Sequence, residues 1–179
     1  MQENATSAEV ASPERVLILT PSPIGVLGLE FIDGVVGKLE IVPIGARRKA
    51  FKPFADLKLG DRSETVDEAI GRLSEFMAGA RRRLEIDYDL EFTEIDNFTR
   101  RVLTETARIP YGRTRTYQQV ATSIGRSGAY RQVLATLTTN PLPLIIPCHR
   151  VVPSRAGVGS YVAATAKKEW LLRMEKQEA

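Results

Sequence analysis

The chain has one cysteine and one histidine, and they are neighbours, Cys148 and His149, with Arg150 directly after them. A free thiol titrates near about 8.5, so only a few per cent is thiolate at neutral pH. A nucleophilic role therefore needs a base, a positive field or both. His149 can be the base, directly or through a water, and Arg150 favours the anion. An imidazole used in this way needs an acidic partner to orient it. Glu169 and Glu175 are the candidates. Glu169 adjoins Trp170, whose side chain should be buried, whereas Glu175 ends the apolar face one turn after Leu171 and Leu172 and is preferred. The residues alone leave an inert reading open, with Cys148 a small buried hydrophobe and His149 a satisfied core histidine. Adjacent side chains diverge in extended chain, so a joint role requires a turn here.

These groups must be delivered by the elements around them. The apolar run 142–146 lies between prolines and reads as a buried segment that carries its end to one fixed place. After the pair, residues 154–161 contain Gly157 and Gly159 and few bulky side chains, a loop whose backbone can approach a ligand closely. A last helix is expected from 165 to about 176, burying Trp170, Leu171 and Met174. Upstream, Asp96 can cap a helix that faces Phe98, Val102 and Leu103 inward. Thr116 can cap another, from 117 to about 123, with Val120 and Ala121 buried. A third helix over 129–138 stops at Asn140-Pro141. Two short helices joined by a turn containing Gly125 and Gly128 suggest a helix-turn-helix.

The first half reads as a scaffold. Three runs, 16–20, 26–32 and 35–42, form an antiparallel meander, with Asp33-Gly34 as a hairpin turn. Residues 44–62 are polar, basic and irregular. Thr65-Val-Asp-Glu68 makes a capping box ahead of a helix with Val66, Ala69, Ile70, Leu73, Phe76 and Met77 on one stripe. Gly79-Ala-Arg-Arg-Arg83 ends that helix, with cations where its dipole favours them. Residues 84–92 form a late strand or connector. The division is a flexible 1–14, a scaffold over 15–92 and a chemical half over 93–179.

Composition narrows the classes. At 179 residues, 43% hydrophobic and 26% charged, the chain is globular. It lacks the pattern of a signal peptide and any run of about 20 apolar residues, so no membrane is expected. One cysteine excludes an internal disulfide, and with one histidine there is no Cys/His metal site. A reducing, intracellular protein follows, cytoplasmic, or nuclear in a eukaryote. The net charge of +3 hides an asymmetry: residues 1–90 carry 12 Lys/Arg against 15 Asp/Glu, and residues 91–179 carry 13 against 7. The second half is where a polyanion is attracted.

Ile146-Pro-Cys-His-Arg-Val-Val152, with Asn140-Pro-Leu-Pro143 before it and Gly157-Val-Gly-Ser-Tyr161 and Lys168-Glu-Trp-Leu-Leu172 after it, resembles the O6-alkylguanine-DNA alkyltransferases. Ile109-Pro-Tyr-Gly112 and Thr116-Tyr-Gln-Gln-Val-Ala121 fit the same pattern, which runs ungapped from about Phe98 to Glu175. The resemblance implies an α+β fold: a small ribonuclease H-like sheet domain with a covering helix, then a helical winged-helix or helix-turn-helix domain. It implies irreversible transfer of an alkyl group from O6-alkylguanine in double-stranded DNA to Cys148, once per molecule, after base flipping and without metal or cofactor, with O4-alkylthymine left open as a second substrate. His149 and Glu175 then form the base relay, Asn140 braces the active-site turn, and Tyr117 donates to the leaving guanine. Val151, Val162 and the Cys148 carbonyl hold the base; Pro143, Tyr161 and Ser160 complete its pocket. Arg131 fills the place of the flipped base from the minor groove, while Thr116, Gln118 and Ser154 touch the backbone. A monomer, with cooperativity on DNA left open, is implied. Tyr130, Leu134 and Ala135 stand where the family has smaller residues, Leu103 where a tryptophan is frequent, and Val162 and Ala163 where one branch has serine and glycine. Two other classes stay in view: a sensor of alkylated DNA that recruits other factors, and a cysteine hydrolase.

Overall fold

The computed structural model describes residues 12–45, 54, 56–61, 63–91, 93–155 and 157–177. Most of the proposed flexible terminus falls outside them. Strands β1 (Arg15–Ser22), β2 (Gly25–Ile32) and β3 (Val35–Val42) form the expected antiparallel meander. At the β2–β3 turn Asp33 and Gly34 both take positive φ, 50° and 85°, as a tight hairpin turn requires. The segment expected to be irregular supplies a short fourth strand, β4 (Lys58–Leu59), parallel to β1. The sheet is therefore mixed, in the order β3-β2-β1-β4.

Helix α1 (Glu64–Met77) buries the predicted stripe, Val66, Ala69, Ile70, Leu73, Phe76 and Met77. Its cap differs from the expected box. Ser63 holds extended backbone and accepts the Val66 N–H at 3.3 Å, while Thr65 lies inside the helix. Glu68 pairs one turn onward with Arg72 rather than reaching back. The arginine triplet falls beyond the helix, and Arg81 joins Glu75 at 2.7 Å and Glu85 at 3.4 Å. Residues 84–91 are a connector: Glu85, at φ 46°, turns the chain, and the segment meets β3 through one bridge, Tyr88 to Val36.

The second half contributes α2 (Asn97–Ala107), β5 (Arg115–Thr116), α3 (Tyr117–Ser123), α4 (Tyr130–Thr138), β6 (Val151–Val152) and α5 (Thr165–Gln177). Asp96 caps α2 by accepting the Thr99 N–H at 2.7 Å, and Thr116 and Gln119 form a capping box on α3. Val102 and Leu103 are fully buried, and Phe98 is half-buried. In α5 the buried face is Lys168, Leu171, Leu172 and Glu175, and Trp170 and Met174 are only half-covered. One hydrophobic cluster runs through both halves of the chain. The halves also meet through the Leu39 N–H, which donates to the Pro141 carbonyl at 2.8 Å, and through Phe76 edge-on to Tyr111 at 5.9 Å. Phe76→Ala removes about 3–5 kcal/mol of stability, read as a lowered urea midpoint; an unchanged midpoint would show that Phe76 does not anchor the core.

Candidate active site

The turn that carries the thiol starts at Asn140, which is buried at the end of α4. Its carboxamide accepts the Leu142 N–H at 3.1 Å and donates to the Ile146 carbonyl at 2.9 Å. The same loop is closed by the Ile146 N–H on the Leu142 carbonyl at 2.8 Å and by a bridge between Pro143 and Ile146. Inside it Leu144 sits at φ 76°, a left-handed conformation that costs a leucine about 1–3 kcal/mol. The Asn140 bonds hold that conformation: one pairs the Leu142 N–H, and the other adds to the Cys148 N–H, which donates to the same Ile146 carbonyl at 2.7 Å. The run is thus a braced loop, not an extended strand.

Cys148, His149 and Arg150 then form one turn of 3-10 helix. This supplies the turn that a shared role for the first two requires. Beyond it, β6 pairs in parallel with β5, Val151 beside Arg115 and Val152 beside Thr116. That pairing brings Tyr117, at the start of α3, next to the cysteine turn.

His149 is fully buried, and its Nε2 lies 2.8 Å from Oε1 of Glu175. Glu169 is exposed. Glu175 also receives Arg150, whose Nε and terminal nitrogen donate to the carboxylate at 2.9–3.1 Å, and the Gly112 N–H at 3.0 Å. A third Arg150 donor reaches the Ile109 carbonyl at 2.7 Å, and the guanidinium stands 5.7 Å over the Tyr111 ring. Burial alone would raise the Glu175 carboxyl, but the His149 and Arg150 hydrogen bonds and charges outweigh it and hold the pKa at about 2. Burial lowers His149 below its ordinary 6.5, against the pull of Glu175. The imidazole is therefore neutral beside a carboxylate, which assigns the proton to Nε2. Nδ1 is left unprotonated and buried, with no hydrogen-bond partner among the described residues.

Lys168 organises the other side. It is fully buried, and its ammonium donates to the Val151 carbonyl at 2.6 Å, the Ser160 carbonyl at 3.1 Å and the Tyr117 hydroxyl at 3.3 Å. Three donors meet three acceptors. Burial brings Lys168 down to about 8, partly offset by Cys148. Burial pushes the Cys148 thiol up to about 11, against the opposing pull of the Asn140 amide, the Lys168 charge and nearby backbone N–H groups. Burial and Cys148 also raise Tyr117 and Tyr161, so both phenols are protonated at neutral pH. The Tyr161 ring stands edge-on to His149 at 6.4 Å. At Gly159, φ 74°, a side chain would press on Pro153 and on the Tyr117 hydroxyl, each 3.0 Å from the added carbon. Pro143 is buried, Val162 half-buried, and the Ser160 side chain exposed.

Other expected residues lie outside this network. Thr116 is half-buried as the α3 cap; Gln118 is exposed and donates to the Ser127 carbonyl; Ser154 and Arg131 are exposed. The cleft of about 540 Å³ lined by Tyr88, Arg108, Tyr111 and Arg150 does not include Cys148. Among the described residues no group of His, Cys, Asp and Glu could hold a metal ion, and no helix is long and apolar enough to cross a membrane.

Residues 97–177 match the family described as 6-O-methylguanine DNA methyltransferase, DNA binding domain. A methylated-DNA–protein-cysteine methyltransferase of Methanosarcina barkeri is 32% identical over 168 residues, 93% of this chain and 94% of that protein. The chain belongs to the methylated-DNA–protein-cysteine methyltransferase family. A Mycobacterium leprae member is 36% identical over 157 residues, covering 88% of this chain and 90% of its own. The crystal structure of the Mycobacterium tuberculosis O6-methylguanine methyltransferase superposes with a TM-score of 0.81 at 28% identity, covering 93% of this chain and 95% of that one. The M. tuberculosis protein in complex with DNA gives 0.76 at 30% identity, over 90% and 92% of the two chains.

In this methyltransferase the residue that sequence reasoning passed over is Lys168. Its helical spacing with Leu171 and Glu175 was the available signal, because those three positions share one face of α5. Arg150 was read only as a positive field, yet it fastens Glu175. The Glu175 pKa is depressed from 4.5 to about 2, so its contribution to stability is complete above about 4.5 and is lost as pH falls towards 2. His149 is lowered from 6.5, so the unfolded chain takes up that proton first and stability begins to fall below 6.5. Urea unfolding followed by Trp170 fluorescence should show stability falling as pH drops from 7 to 4. A flat or rising profile would contradict the assignment.

Proposed function

We propose that this protein repairs DNA by direct reversal, with Cys148 taking the alkyl group from O6 of a flipped guanine in double-stranded DNA and keeping it. The observation that carries the reading is the buried pairing of Glu175 with His149 of the turn that bears the thiol, which leaves Nδ1 of His149 with no hydrogen-bond partner among the described residues. The reaction balances without a cofactor. A water passes the thiol proton to Nδ1, sulfur attacks the alkyl carbon, and the C–O bond breaks with its electrons left on guanine. The protonated Tyr117 phenol donates to the base at N3 as it leaves. The product thioether resists water, so each molecule acts once.

At a pKa of about 11 only about one thiol in ten thousand is ionised at pH 7, so transfer depends on the base at the moment of attack. Cys148 is 3% exposed, so the structure around it must open for a guanine to reach it. In the proposed complex the Val151 carbonyl, which keeps a second lone pair beyond its Lys168 bond, the Cys148 carbonyl and the Val162 N–H hold the base. Ser160 lies at the rim of the pocket, and Pro143 and Tyr161 line its alkyl side. Arg131 fills the vacated stack, and Thr116, Gln118 and Ser154 meet phosphates. The working form is a monomer in the compartment that holds the DNA. Residues 15–92 form the scaffold, in the ribonuclease H-like manner, and residues 93–179 the winged-helix part.

Mass spectrometry after incubation with an O6-methylguanine duplex tests the reading: one methyl group should appear on the peptide containing Cys148, and Cys148→Ala should bind DNA without transfer. A folded wild-type protein that binds the damaged duplex with no adduct would leave a sensor instead. Glu175→Gln should slow single-turnover transfer by about 10²- to 10⁴-fold, the range of a lost general base; a wild-type rate would remove the relay.

A further inference from the structure

Tyr130 is a large aromatic side chain left 43% exposed at the first position of α4. The buried side of that helix is Val133 and Leu137, so the ring is not part of its core face. It is paired instead with its neighbour. The Arg131 guanidinium stands 5.6 Å from the ring centre, and Arg131 Nε donates to the Tyr130 hydroxyl at 3.1 Å. The corner that presents this pair is fixed from behind. Gln118 donates to the Ser127 carbonyl, and the Ala129 N–H donates to the Arg126 carbonyl at 2.8 Å. The surrounding sequence is one-signed: no Asp or Glu occurs between Glu105 and Glu169, a stretch with nine Lys and Arg. An exposed ring carrying a cation, set in a stretch without acids, matches a partner that offers both phosphates and flat apolar faces.

We propose that Tyr130 and Arg131 form a single two-part wedge at the damaged base pair, Arg131 filling the place of the everted guanine and the Tyr130 ring stacking on the neighbouring base. This rests on the reading of Arg131 given above. Side chains that enter the minor groove and part a base step hold the duplex open, and an aromatic face stacks on any base without reading sequence. The contact between ring and guanidinium also aligns Arg131 before DNA arrives, so less freedom is lost on binding.

The test is single-turnover transfer to Cys148 from O6-methylguanine placed in a duplex and in a single-stranded oligonucleotide, where the base needs no extrusion. Tyr130→Ala should slow transfer from the duplex about tenfold and leave the single-strand rate unchanged, as loss of one stacked face implies. Tyr130→Phe keeps the ring and should stay within about twofold of wild type on both substrates. A 2-aminopurine beside the lesion should be less quenched by Tyr130→Ala than by wild type. Equal duplex rates for Tyr130→Ala and wild type, or equal slowing on both substrates, would overturn the wedge. Absence of any wild-type adduct from either substrate would instead defeat the underlying reading of the reaction.

Discussion

Glu175 is 1% exposed, and four groups converge on its carboxylate: His149, two donors of Arg150, and the Gly112 N–H. A buried carboxylate is costly unless its lone pairs are filled and its charge is matched. Here Arg150 matches the charge. Burial is what keeps His149 neutral, against the pull of Glu175, and the Arg150 charge acts in the same direction as burial. The histidine next to the thiol is therefore left able to accept a proton. The same carboxylate ties α5 to the loop after α2 and to the 3-10 turn, so the chain end, the middle of the chain and the thiol are set by one group.

The second constraint is that the thiol is kept protonated. Lys168 and Asn140 both favour the anion, yet burial prevails and the thiol rests near 11. A thiol poised as a free thiolate would be open to oxidation and to stray electrophiles. For a residue that is consumed by its one reaction, resting inert and being activated only through His149 is the safer arrangement. Lys168 serves this arrangement by fixing the Val151 carbonyl, the Ser160 carbonyl and the Tyr117 hydroxyl around one ammonium. It links the wall on which the proposed base would lie to the phenol that would donate a hydrogen bond to it.

The parts of this legible in the sequence were those with a local period or a unique residue. The α1 stripe, the Asp33-Gly34 turn and the caps at Asp96 and Thr116 follow from chain-neighbour rules and are present. The lone cysteine and histidine announced themselves, and spacing along α5 singled out Glu175 against Glu169. What the sequence concealed depends on distant partners. β4 is two residues long and exists only because β1 offers it an edge. Ser63 displaced Thr65 as the α1 cap because the backbone turns one pair of residues earlier than the pattern suggests. Lys168 looked like one more cation on a polar helix because its acceptors, on Val151, Ser160 and Tyr117, are supplied by other parts of the chain. Leu144 gave no sign of its left-handed backbone, which belongs to the loop that Asn140 braces.

Because His149 is the only histidine, its ring can be observed without ambiguity in the intact protein. Nitrogen-15 NMR of the imidazole as a function of pH reports both the tautomer and the pKa. At pH 7 the ring should be neutral, with the proton on Nε2, and should titrate below 6.5. A ring that is cationic at pH 7, or neutral with its proton on Nδ1, would contradict the account.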